Sequence, residues 1–134
     1  MSKFKVKDYM LSLSQFPVID DKSILKDALD KMSYFGLGIA VIINKRGILK
    51  GVITDGDLRR KVINIQKPMI AIMLDDAINL AIKRPITIKD DILLKKAVNI
   101  MYKKQVLDLI VLDKNKKVLG LLHLKKLIKL IDIK

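Results

Sequence analysis

Gly51-Val52-Ile53-Thr54-Asp55-Gly56-Asp57-Leu58-Arg59-Arg60 is the stretch from which the fold can be read. It passes from apolar, β-favouring residues through a step of glycine and aspartate into a run with helical spacing. The same order returns at Gly120-Leu121-Leu122-His123-Leu124-Lys125-Lys126, an offset of 120 − 51 = 69, and Ala28 and Met32 find counterparts at Ala97 and Met101 with that offset. A long unit that occurs twice predicts a pseudo-symmetric pair packed on each other rather than an open array. The copies keep their apolar pattern and part company at Thr54-Asp55-Gly56-Asp57 against His123-Leu124-Lys125-Lys126. That asymmetry points to function.

Working outward, Pro17-Val18-Ile19 reads as a brief strand after an amphipathic opening from Lys5 to Leu13. Ile24, Leu25, Ala28, Leu29 and Met32 recur at helical spacing, so Ser23 to Phe35 is predicted helical and is stopped by Gly36 and Gly38. Ile39 to Ile43 is a continuous β-favouring run, and Asn44 to Gly47 turn it into a strand from Ile48 to Ile53, with a helix opening near Asp55. The second copy predicts a strand at Pro85 to Ile88, a helix from about Asp91 to Lys104, strands at Leu109 to Leu112 and Val118 to Leu122, and a last helix to Ile131. Each copy is β-α-β-β-α, an α/β (α+β) fold. We expect the division to fall as 1–67, an N-terminal extension with the first repeat, and 68–134, a linker with the second. In the linker Asp75 to Ile82 is predicted helical, and Met69 and Met73 are expected to fill core.

With 134 residues and 51% hydrophobic content the chain can build one packed domain, whereas each half alone is marginal. No apolar run reaches the roughly 18 residues of a membrane span, and Met1-Ser2-Lys3-Phe4-Lys5 lacks the apolar stretch of a secretory signal, so a cytoplasmic location is expected. Cysteine is absent, which excludes disulfides and thiolate metal sites. The net charge of +13 raises nucleic-acid binding. Against it, the 27 basic residues are spread evenly along the chain, 13 in residues 1–67 and 14 in 68–134, and only four are Arg. The excess fits a solvated Lys-rich surface whose field favours small anions.

The element order and the Gly51 to Arg60 stretch resemble a cystathionine β-synthase (CBS) domain, and two in tandem resemble the regulatory pair called a Bateman module. The run Thr54-Asp55-Gly56-Asp57-Leu58-Arg59-Arg60 is similar to the CBS pair of bacterial arabinose 5-phosphate isomerases, a sugar isomerase family of Kdo, lipopolysaccharide and capsule biosynthesis. Lys7-Asp8-Tyr9-Met10, Leu37 to Val41 and Leu119 to His123 carry the likeness further. The resemblance implies a non-catalytic regulatory pair that binds a nucleotide or nucleotide sugar, with no required cofactor. It implies AMP, ADP, ATP or a cytidine-linked sugar acid as ligand, a homodimer of CBS pairs, and an upstream sugar isomerase domain in the parent protein. Alternatives are a ligand-free oligomerisation scaffold and the CBS pair of a sugar-nucleotide transferase.

By that resemblance Thr54 and Asp57 hold phosphate and ribose. The chemistry suits them: a carboxylate accepts from paired ribose hydroxyls, while a hydroxyl and free amides at a helix start donate to phosphate. Gly56 allows close approach of the backbone, and Arg59 and Arg60 offset the charge of Asp55 and Asp57. Thr54-x-x-Asp57 is equally an N-terminal capping box, and one site can do both jobs. Val18, Ile19, Ile39 and Ala40 are where the family packs a base; core packing is their ordinary alternative. His123 occupies the hydroxyl position of the second copy and Lys126 the carboxylate position, so a second ordinary nucleotide site is not expected. His123 has no acid at helical spacing and is read as a partly buried, hydrogen-bonded residue rather than a general base. No catalytic pair and no metal site is expected, since Asp55 and Asp57 alone supply too few ligands.

Overall fold

Caps and turns set the element bounds within the predicted pattern. The computed structural model describes residues 3–133. In order it has α1 (Val6–Tyr9), β1 (Val18–Asp20), α2 (Leu25–Phe35), β2 (Ile39–Ile43), β3 (Leu49–Thr54), α3 (Asp55–Ile63), α4 (Met69–Met73), a 3-10 turn (Ala77–Leu80), β4 (Thr87–Lys89), α5 (Leu94–Lys104), β5 (Asp108–Leu112), β6 (Val118–His123) and α6 (Leu124–Ile133). These form two compact units, Gln15–Pro85 and Met1–Ser14 with Ile86–Lys134.

In the unit Gln15–Pro85, β1 runs parallel to β2 and β2 antiparallel to β3. Parallel neighbours need a crossover, which α2 provides. Leu25, Ala28 and Met32 on α2 bury against Ile19, Ala40, Ile42 and Ile53, one alternate set of strand residues. Burying each large side chain of that set contributes about 1.5–3 kcal/mol. The helix ends on Gly36 at φ +65, whose amide caps the Met32 and Ser33 carbonyls. That left-handed geometry suits glycine. The second unit repeats the plan: β4 is parallel to β5, β5 antiparallel to β6, and Leu94, Ala97 and Met101 of α5 bury against Ile88, Leu109, Val111 and Leu122. Here the left-handed cap is Gln105 at φ 55, which carries the strain that Gly36 avoids.

The compact units cross the expected sequence division between 1–67 and 68–134. Residues 68–85 belong to the unit with the first sheet, and the opening segment belongs to the unit with the second. The backbone explains why. The Val52 and Ile82 amides exchange bonds of 2.9 and 2.8 Å with each other's carbonyls, Ala77 donates to Ser23 at 2.8 Å and Leu25 to Asp75 at 2.9 Å. In the other unit Leu11 and Leu121 exchange bonds of 2.7 and 3.1 Å, Val6 donates to Ile92 at 2.9 Å and Leu94 to Phe4 at 2.8 Å. Residues 4–11 therefore do for β6 and α5 what residues 75–82 do for β3 and α2. Each segment satisfies a strand edge that would otherwise stay open.

Two linker expectations change as well. The helix expected from Asp75 to Ile82 shortens to the 3-10 turn, because its ends pair with strand backbone instead. Met69 is 60% exposed rather than core, since α4 buries only Ile72.

Gly51 and Gly120 occupy the point where each segment crosses its strand. A Cβ on Gly51 would lie 3.0 Å from the Ile82 carbonyl oxygen, while one on Gly120 would meet the Leu11 carbonyl oxygen and, at 2.8 Å, the Met10 Sδ. Gly120→Ala is expected to lower stability by about 1–3 kcal/mol and Gly51→Ala by less, read as shifts in the urea midpoint. Equal loss from both, or none from Gly120→Ala, would contradict this packing.

Candidate ligand site

Thr54 ends β3 and caps α3, because its side chain accepts from the Asp57 amide at 3.2 Å. Its own hydroxyl donates to Asp57 Oδ2 at 2.7 Å. Arg60 Nη2 reaches Asp57 Oδ1 at 2.5 Å across one turn. The capping box expected here is thus half present: the Thr satisfies the amide, but the acid holds the Thr hydroxyl and Arg60 rather than the cap's backbone. Partial burial pushes the Asp57 carboxyl upward. The Thr54 hydrogen bond, the Arg60 hydrogen bond and the charges of Arg60 and Lys61 more than offset it and hold that group below the usual carboxylate range. Asp57 keeps 21% of its side chain exposed, so an incoming ligand can exchange with these internal partners.

Strand alternation separates the other expected residues. Ile39 pairs with Thr54 and Val18 with Val41, which puts Val18, Ile39 and Thr54 on one face of the sheet, away from α2. Ile19 and Ala40 point to the opposite face and are core, 4% and 0% exposed. The two-residue period puts Val18 and Ile39, the latter itself only 3% exposed, on the face that carries Thr54. Arg60 is engaged with Asp57, whereas Arg59 is exposed and makes no hydrogen bond or ion pair among the described residues. The side chain of Gly56 is missing where Arg60 folds back, and a Cβ there would come 3.4 Å from Nη1.

Asp55 begins α3, and its amide donates to the Gly38 carbonyl at 3.0 Å. Its carboxylate lies over Gly38, where a Cβ would fall 2.7 Å from Oδ2. A cavity of about 280 Å³ opens there, lined by Leu29, Met32, Ser33, Gly36, Leu37, Gly38 and Asp55. Sequence reasoning took Gly38 only as a helix stop and missed its role as the floor beneath Asp55.

At the matching place in the second repeat, His123 Nδ1 lies 2.6 Å from Asp108 Oδ1, and both side chains are largely buried. The companion acid thought to be lacking comes from the paired strand, where Asp108 faces His123 in register as Ile39 faces Thr54. The signal was available: the two positions that pair across the ladder both change character between the copies. Lys126, at the place of Asp57, is exposed. No group of three or more His, Cys, Asp or Glu that could hold a metal ion occurs among the described residues. None of the described helices is long and apolar enough to cross a membrane.

Two units of one plan, each carrying its strand-to-helix step at the end of the third strand, define a tandem repeat domain. The CBS domain model matches residues 6–64 and again 76–133, and the chain belongs to the CBS domain family as a tandem pair. An uncharacterised protein of Helicobacter pylori strain 26695 is 34% identical over 128 residues, covering 94% of this chain and 37% of that protein. The arabinose 5-phosphate isomerase KdsD of Pseudomonas aeruginosa is 30% identical over 128 residues, covering 93% and 37%. The chain thus spans little more than a third of the length of these relatives. Among solved structures, CBSX2 in complex with AMP superposes with a TM-score of 0.82 at 21% identity, covering 97% of both chains. An uncharacterised conserved protein of Pyrococcus horikoshii gives 0.80 at 21% identity, covering 98% of this chain and 94% of that one.

Two outcomes follow from the site's geometry. Because Asp57 ionises more readily folded than unfolded, its stabilisation is complete above the ordinary value of 3.8 and is lost as pH falls through the lower folded value. Asp57→Asn should flatten that acid limb in urea titrations from pH 6 downward; an unchanged limb would deny the coupling. Separately, Asp108→Ile and His123→Thr should each cost about 1–3 kcal/mol by stranding a buried polar partner. The double variant, which restores the Ile and Thr of the first copy, should cost less than the two losses added, as a double-mutant cycle would measure.

Proposed function

We propose that this CBS pair is a regulatory, non-catalytic module that binds a nucleotide or nucleotide sugar at its first repeat through Thr54 and Asp57. The observation that carries this reading is the contrast between the copies. Thr54 and Asp57 are half-buried and hydrogen-bonded in a way a ligand can replace, whereas the matching position of the second copy is taken by the His123–Asp108 pair. Ribose hydroxyls would take over the two Asp57 oxygens, and phosphate would draw on Thr54, Arg59 and Arg60. Gly56 keeps the backbone approachable. Val18 and Ile39 would flank the base.

Adenine nucleotides are the first ligands to consider, given the fold shared with the AMP complex of CBSX2. The similarity to KdsD adds a cytidine-linked sugar acid, on the reading that the pair regulates an upstream sugar isomerase domain in a cytoplasmic enzyme of Kdo and lipopolysaccharide synthesis. A ligand-free dimerising scaffold is the second reading, supported by Ile63, Met69, Ile70 and Leu74, which expose apolar surface on one stretch of the first unit.

Calorimetry against AMP, ADP, ATP, CMP and the cytidine-linked sugar acid tests the sensor. At least one should bind, with Asp57→Ala losing that binding while lowering stability by about 1 kcal/mol through its bonds to Thr54 and Arg60. Silence from all of them in folded protein would end the sensor reading, and a dimer by sedimentation with a nucleotide-independent melting temperature would favour the scaffold.

A further inference from the structure

Lys61 breaks a local rule one turn from the site. It stands four residues after Asp57, the spacing at which an acid and a lysine on one helix ordinarily pair. Instead its ammonium donates to the Leu80 and Ala81 carbonyls, at 3.2 and 3.3 Å, and it forms no ion pair among the described residues. The side chain is half-buried, and its charge still reaches the acid. Burial raises the Asp57 carboxyl, while the Thr54 and Arg60 hydrogen bonds, the charge of Arg60 and, last, that of Lys61 lower it. The lysine is within electrostatic reach of Asp57 and is kept from it by the segment whose Ile82 pairs with Val52 of β3.

The second repeat supplies an internal comparison. Leu127 and Leu130 stand there at the 69-residue offset from Leu58 and Lys61, and Leu127 is only 2% exposed. In α3 no residue is fully buried, and Leu58 and Val62 pack on the core only in part. The fold therefore does not require a lysine to hold a helix at this place. The copy that carries the carboxylate has the polar tie, whereas the copy with Lys126 in that position has an apolar anchor. A lysine in place of Leu130 would stand four residues after Lys126, an unfavourable pair of like charges.

We propose that Lys61 is a positioning residue of the nucleotide site: the Leu80 and Ala81 carbonyls keep its ammonium away from Asp57, so that docking of residues 75–82 along β3 and occupancy of Thr54 and Asp57 by a nucleotide support each other. The inference rests on the nucleotide-binding reading above. When the segment loosens, the ammonium loses its two acceptors and folds back one turn onto Asp57, where it takes the acceptor oxygens that a ribose diol needs. A nucleotide on Asp57 excludes that fold-back, leaves the ammonium to the carbonyls and so tightens the segment. Linkage makes the two effects equal in free energy.

Ile82→Pro loosens the segment without touching the site. It removes the amide that donates to Val52 at 2.8 Å, and Ala81, at φ −88 and ψ 153, already has the extended backbone that precedes a proline. In calorimetry with AMP, ADP, ATP and CMP on the intact chain, Ile82→Pro should weaken the nucleotide that binds the wild type by about threefold or more. On a Lys61→Met background, where no ammonium can fold back, the same substitution should change that affinity by less than about twofold. Gly51→Ala, which presses on Ile82 and Ala81, takes the place of Ile82→Pro in this cycle if the proline variant does not fold. Without ligand, the Asp57 carboxyl followed by NMR should titrate at lower pH in Ile82→Pro than in the wild type, and Lys61→Met should abolish that drop, which a merely structural lysine would not produce. Equal weakening with and without Lys61, or an Asp57 titration indifferent to the segment, would overturn the coupling while leaving nucleotide binding intact. If none of the four nucleotides binds the wild type, the sensor reading fails and takes this one with it.

Discussion

The hydrogen bond from the Asp55 amide to the Gly38 carbonyl closes the β2–β3 ladder where strand becomes helix, and the site depends on it. It holds the start of α3 against the start of β2, so that Thr54 finishes the strand opposite Ile39 and also caps the helix. A slip of one residue in this pairing would turn Thr54 into the core and bring Ile53 out. The slip is resisted by apolar burial on the α2 face, where Ile53, Ala40 and Ile42 are almost wholly enclosed. Packing against α2 thus aims Thr54 to the opposite face.

The two repeats show what the scaffold demands and what it leaves free. Both keep the closing bond, the buried helix triad and the glycine at the edge crossing. Both also turn through positive φ at matching places, Gly36 and Gln105, Gly47 and Lys116, although glycine stands at only one of each pair. Tertiary packing there overrides the residue preference. The polar positions diverge freely. Thr54 with Asp57 in one copy becomes the buried His123–Asp108 pair with a solvated Lys126 in the other, and Gly38 with Asp55 becomes two leucines. A pair of domains built on one plan can therefore hold one polar pair that is partly open to solvent and one that is internally satisfied.

Element order, the repeat and its offset, and the cap at Thr54 were legible in the chain because each follows from periodicity or from residues three or four apart. The facing of the apolar strand residues was legible only in part. A continuous apolar run such as Ile39 to Ile43 does not reveal which alternate residues face the helix, so Ile19 and Ala40 could not be told from Val18 and Ile39 before α2 was packed.

What the sequence determined by itself is local: where strands and helices form, and that the copies differ at one step. Tertiary structure alone decided the partners that lie far apart along the chain. Leu11 pairs with Leu121 across most of its length, and residues 4–11 share with 75–82 a backbone role but almost no side-chain pattern, Val6 and Tyr9 standing where Ala77 and Leu80 stand. His123 meets Asp108 across a strand pair, and Asp55 settles on Gly38. Main-chain hydrogen bonding and the absence of a Cβ leave no periodic trace in a sequence; they become visible when the chain closes on itself.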